Sequence, residues 1–119
     1  MIFAKNAEAS AIAIKFVEGK AMAGTLFVRP LITGEEMSLM EVRLSAGAAS
    51  PSHTHDHESL IYVVTGMLKA VVGDTTLVLG SGDVCRHPRG VSHSIEALEE
   101  TTFIEIKSPV PDLTRVLGK

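Results

Sequence analysis

Glycine and proline interrupt this chain at short intervals, and that spacing rules out most architectures. Gly19, Gly24, Pro30, Gly34, Gly47, Pro51, Gly66, Gly73, Gly80, Gly82, Pro88 and Gly90 leave only brief stretches between them, rich in Val, Ile, Leu and Thr. Short β-branched runs closed by turn residues read as strands, and many in succession read as an all-β sandwich or barrel. The expected strands are Thr25–Ile32, Ser38–Leu44, Ser59–Thr65, Met67–Val72, Thr75–Leu79, Val91–Ala97 and Thr102–Lys107. In Ser38–Leu44 the alternation is clear: Ser38, Met40, Val42 and Leu44 share one face, with Glu41 and Arg43 on the other. Val72-Gly73-Asp74-Thr75 predicts a tight hairpin, and Gly80-Ser81-Gly82-Asp83 a second reversal. A long helix is not expected. Asn6–Val17 has some helical potential through its alanines and reads equally well as an irregular or edge segment.

A length of 119 residues suits one domain with one core. The formal net charge of -3 and the absence of a polybasic run give no footing for nucleic acid or a membrane surface. No stretch approaches the ~18 apolar residues of a spanning helix. Met1–Ser10 carries Lys5, Asn6 and Glu8 and lacks the apolar core of a signal peptide. The single cysteine, Cys85, cannot form an internal disulfide. A cytoplasmic location is the resulting expectation. Cys85 reads as a small buried hydrophobe, and Met22, Met37, Met40 and Met67 as fillers of core gaps.

The chemistry is concentrated in the histidines. All five lie between positions 53 and 93. Three crowd into His53-Thr54-His55-Asp56-His57, and two more lie in His87-Pro88-Arg89-Gly90-Val91-Ser92-His93. In an extended segment, residues i and i+2 point to the same side with Cα atoms ~6–7 Å apart. Two imidazoles so placed can converge on one ion at ~2.1 Å, and a third from a distant strand completes one face of its coordination sphere. Open positions remain for water or substrate. A lone His-x-His is weak as a signal, since most histidines are ordinary polar residues. Three in alternation at a mid-chain position are stronger, and the surrounding glycines and prolines raise the signal further. His57 would lie ~13 Å from His53 on a straight strand and reads as a rim or outer-shell residue. His87, before a proline, reads as structural or exposed.

Two spaced patterns carry a resemblance. Gly47, five residues, His53-x-His55 and finally Gly66 resembles the first cupin motif. Gly82, five residues, then Pro88-x-Gly90-x-x-His93 resembles the second. Together they span positions 47–66 and 82–97 of one domain over 1–119. The resemblance implies a cupin double-stranded β-helix, a small antiparallel barrel of jelly-roll type, with a divalent transition metal ion (Zn, Fe, Ni, Mn or Cu) held by His53, His55 and His93. The usual acidic ligand is replaced. Counting six back from Gly66 gives Ser59, where one cupin subgroup has Gln. The fourth ligand is therefore Ser59, Glu58, His57 or water, with alternation turning Glu58 away. The motif's final Asn is Ala97 here.

In cupins the late strand can line the pocket. Phe103, Glu105 and Lys107 share one face of it, which makes Glu105 a candidate catalytic acid or base and Lys107 a candidate for binding an anion. Residues of this kind on a solvated face are the commoner case. Arg86, Arg43 and Glu41 read as surface residues. The implied function is a small metal-dependent enzyme of isomerase or lyase type acting on an oxygenated small molecule, such as a keto or uronate sugar acid. The likeness is to the small pectin-degradation cupins that linearise unsaturated uronates, although Ser59, Lys107 and Pro111 depart from that family's pocket. A three-histidine dioxygenase and a non-enzymatic ligand-binding or sensor module are the alternatives. The resemblance and the apolar N-terminal residues Ile2, Phe3, Ile12, Ile14, Phe16 and Val17 also imply a homodimer, with Met1–Val17 packed on a second subunit or, failing that, over the open edge of its own barrel.

Overall fold

The structure is a computed structural model describing residues 1–111. A single 3-10 turn, Asn6–Glu8, precedes nine strands: β1 (Ile12–Val17), β2 (Lys20–Thr33), β3 (Ser38–Leu44), β4 (Glu58–Thr65), β5 (Leu68–Val72), β6 (Thr75–Leu79), β7 (Val84–His87), β8 (His93–Ala97) and β9 (Thr101–Ser108). All pairings are antiparallel. Six strands form one sheet in the order β1-β2-β3-β9-β4-β7, and three form a second in the order β6-β5-β8. The connection from β3 to β4 runs beside the smaller sheet. Ala49 bridges Ala23 and Glu96, and His53 bridges His93. This is the all-β double-sheet barrel the sequence predicts.

Alternation explains the core. Met40, Val42 and Leu44 of β3, Ile61 and Val63 of β4 and Phe103 of β9 meet Leu68, Ala70, Leu79, Ile95 and Ala97 of the smaller sheet. Burying each Val, Leu, Ile, Met or Phe side chain among these stabilises the barrel by ~1.5–3 kcal/mol. Of the methionines, Met40 is buried and Met22 packs against the core, but Met37 and Met67 are exposed. They sit at strand ends and turns, where no opposing layer covers them. The β4–β5 turn needs Gly66. It has φ +99°, and a Cβ there would run into the Glu100 carbonyl oxygen and Thr101.

Of the two readings of Asn6–Val17, the edge segment holds, with a 3-10 turn at Asn6–Glu8 ahead of β1. β1 pairs with β2 from Ile12↔Val28 to Val17↔Lys20. The β-branched residues Ile12, Ile14 and Val17 outweigh the alanines once a free strand edge is there to pair with. A register shift between Ile14 and Phe16 breaks the alternation. Val17 therefore turns into the core, while Phe16 stays 49% exposed. The segment from Ile12 onward thus covers the edge of its own barrel, which is the simpler of the two roles expected for it. No helix among the described residues is long and apolar enough to cross a membrane.

Candidate metal centre

His53 and His93 face each other across an antiparallel bridge. The His53 N–H donates to the His93 carbonyl (3.0 Å) and the His93 N–H to the His53 carbonyl (2.9 Å). Their side chains emerge on one side, with ring centroids 4.3 Å apart. His55, two residues on, brings its ring to 4.7 Å from His53 and 5.2 Å from His93. The Gly90 N–H donates to the His55 carbonyl, so the second motif's turn is tied to the first motif's histidine. All three rings are buried, and one ligand atom from each lies within 4.8 Å of the other two.

Each ring is also oriented. His53 Nδ1 lies 2.6 Å from the Pro51 carbonyl oxygen, His93 Nδ1 3.2 Å from the Val91 carbonyl oxygen, and His55 Nδ1 2.9 Å from Glu18 Oε1. All three partners are acceptors, which favours the Nδ1–H tautomer and leaves each Nε2 lone pair free. Burial pushes the His55 imidazole down to about 2 and His93 to about 3, and lowers His53 as well; the Lys107 ammonium adds to the effect on His55. Neutral imidazoles with free Nε2 atoms are what a divalent transition metal requires. The donor set fits such an ion.

Glu18 gives no signal in the sequence. It occupies the β1–β2 turn at φ +50°, next to Gly19. That strained turn, in a region few non-glycine residues adopt, carries its carboxylate to a histidine 37 positions away.

The rings open into a cavity of about 80 Å³. Ile12, Ile14, Val17, Leu26, Val28, Pro30, Met40 and Val42 line it from β1–β3, and Glu105, Lys107 and His87 from β9 and β7. Glu105 and Lys107 therefore face the cavity and not a solvated outer surface. Burial pushes the Glu105 carboxyl up, but the Lys107 ammonium, His87 and the nearby Ser59 hydroxyl outweigh it and hold the group below the usual carboxylate range. The Ser59 hydroxyl lies close enough to Glu105 to favour its ionised form.

The remaining candidates separate cleanly. Ser59 points inward and is buried, whereas Glu58 points outward and pairs with Arg86 at the surface. Glu41 accepts from Asn6 and Arg43 on the outer face. Cys85 is half-buried against the core, and burial pushes its thiol up to about 11. Of the two readings of His87, structural or exposed, the structural one holds. His87 closes β7 opposite Ser59, is 3% exposed, and stacks on His93 at 4.1 Å. His57 is likewise buried and stacks on His55 at 4.5 Å. Two stacked, nearly parallel imidazoles cannot both aim their in-plane lone pairs at one ion, so His57 and His87 flank the three-histidine cluster.

Residues 40–106 match the family model described as the cupin domain. The chain is a cupin. This cupin is 30% identical over 89 residues to oxalate decarboxylase OxdC of Bacillus subtilis (strain 168); the match covers 71% of the chain and only 23% of that protein. Among solved structures it resembles KdgF from Halomonas sp. with a TM-score of 0.82, 22% identity, and coverage of 96% and 98% of the two chains. An RmlC-like cupin from Shewanella frigidimarina gives 0.80, with 22% identity and 96% coverage of both. At such identities these two structures bear on the fold alone.

Proposed function

We infer that this cupin is a small metal-dependent enzyme acting on an oxygenated small-molecule acid, with chemistry of the isomerase or lyase type. The observation that carries this reading is the orientation of the three rings. Pro51, Val91 and Glu18 occupy the Nδ1 atoms, so His53, His55 and His93 would hold a divalent transition metal through Nε2. Such an ion supplies Lewis acidity toward a carbonyl or carboxylate oxygen.

The protein's own residues supply the rest. Glu105 lines the same cavity and is held ionised, so it is suited to accept a proton from the carbon next to a carbonyl. The apolar walls on β1–β3 keep bulk water away from that proton. The relative from Bacillus subtilis is named for action on oxalate, and an acid substrate agrees with that. The same reading takes the chain as one cupin domain and as a homodimer. The exposed Met1, Ile2, Phe3 and Phe16 are the apolar surface a second copy would cover.

The test is proton exchange. With metal-loaded protein, NMR should show the α-protons of a responsive keto or uronate acid exchanging with deuterium oxide. Chelator treatment should stop the exchange, and Glu105→Gln should slow it by ~100-fold or more with metal content unchanged. Exchange at the wild-type rate in Glu105→Gln would remove the proposed role of Glu105.

A further inference from the structure

Strand register places four polar residues in one row across the larger sheet. Ser38 of β3 is opposite Lys107 of β9, Lys107 is opposite Ser59 of β4, and Ser59 is opposite His87 of β7. All four point inward, and none is more than 8% exposed. A buried row of this kind normally satisfies itself through hydrogen bonds. Here Ser38 Oγ, Ser59 Oγ and His87 Nδ1 are buried with no hydrogen-bond partner among the described residues. Lys107 makes no direct ion pair with any carboxylate among those residues either.

An ammonium in the middle of a row, with the unpartnered Ser38 hydroxyl and His87 Nδ1 around it and the Ser59 hydroxyl beside Glu105, matches the needs of a carboxylate. Such an anion accepts several hydrogen bonds at once. Lys107 and His87 both line the cavity into which the three rings open. We propose that Lys107 and His87, flanked in the row by Ser38 and Ser59, form a receptor for the ligand's carboxylate, distinct from the position of the oxygen at His53, His55 and His93. This rests on the metal-centre reading and deepens it. The substrate is then an acid whose carboxylate and reacting oxygen are held at two places in one cavity. It also gives Ser59 a use. A hydroxyl is a poor metal ligand but a good donor to an anion.

The receptor is built from protein groups alone, so it can be tested with and without metal. Butyrate and its neutral isostere butyramide would be titrated calorimetrically into the full chain, both loaded with Zn²⁺ and freed of metal by chelation. The receptor predicts saturable butyrate binding in both forms, at least tenfold tighter than butyramide. Lys107→Met should abolish that preference. Ser59→Ala and Ser38→Ala keep the charges intact and should each weaken butyrate by roughly threefold to tenfold, which covers the case in which Lys107→Met does not fold. Butyrate binding only to the Zn²⁺ form, and unchanged in Lys107→Met, would put the carboxylate on the ion and overturn the proposal while leaving the metal reading intact. Absence of butyrate binding in both forms would also overturn it. If the protein takes up no Zn²⁺ but still binds butyrate through Lys107, the metal reading fails and the receptor stands.

Discussion

Glu18 Oε1 and His55 Nδ1 lie 2.9 Å apart, joining the N-terminal hairpin to the three-histidine cluster. A carboxylate behind a ligating imidazole fixes its tautomer and raises its basicity, and losing such a partner typically costs 10–100-fold in metal affinity. Glu18→Ala should therefore weaken Zn²⁺ binding by about that factor in a competition titration with a chelator, with little change in the far-ultraviolet spectrum. Glu18→Gln keeps an acceptor and should lose less. Equal affinities in all three proteins would show that the contact does not orient His55.

Acid should destabilise the metal-free protein well above the usual carboxylate range. The ordinary histidine value is 6.5, and burial pushes His57 to about 4, His93 to about 3 and His55 to about 2. The folded chain then keeps these rings neutral, while the unfolded chain takes up protons as soon as the pH falls below about 6.5. Their contribution is fully present above that value and is lost as pH falls toward the folded values. Each ring removes up to about 1.4 kcal/mol per pH unit. The Tm of chelator-treated protein should be nearly level from pH 7 to 8.5 and fall steeply from 6.5 to 4. A Tm that stays level down to pH 4.5 would contradict the buried, neutral state of the rings.

Much of this was legible in the sequence because it is local. The alternation of Ser38–Leu44 gives the inward face of β3, and the spacing of His53, His55 and His93 brings out three residues that the fold does gather. What escaped depends on distant parts of the chain. Nothing near Glu18 announces a partner 37 residues away, because the contact is created by where the β1–β2 turn ends up in the folded chain. β1 itself is ambiguous by propensity and is decided by the free edge of β2. His87 was hidden by the shortness of β7. With only Val84–His87 in the strand, and Val84 facing out, the alternation that turns Cys85 and His87 inward is too brief to read.

The register of β4 is open to a direct check. Ser59 points in and Glu58 points out to Arg86. A surface ion pair of that kind contributes ~0–1 kcal/mol, so Glu58→Ala should leave both metal content and Tm almost unchanged. Ser59→Gln places an amide oxygen toward the three rings and should tighten metal retention during dialysis against chelator. The opposite pattern, with metal lost from Glu58→Ala and Ser59→Gln without effect, would mean the strand is shifted by one residue.

Gly66→Ala should be strongly destabilising although the change is one methyl group. The added Cβ meets the Glu100 carbonyl oxygen and Thr101, and the φ of +99° disfavours any side chain. A loss of more than about 2 kcal/mol in denaturant unfolding is expected. A loss under about 0.5 kcal/mol would show that the β4–β5 turn relaxes freely.

Binding of one metal ion by His53, His55 and His93 together is open to direct measurement. It is tested most directly by measuring bound metal, by plasma emission spectrometry, in wild-type protein and in the triple variant His53→Ala/His55→Ala/His93→Ala after identical loading and desalting. Close to one divalent ion per chain is expected in the wild type and almost none in the triple variant, with both proteins giving the same β-sheet circular dichroism. Equal metal content in the two folded proteins would contradict it.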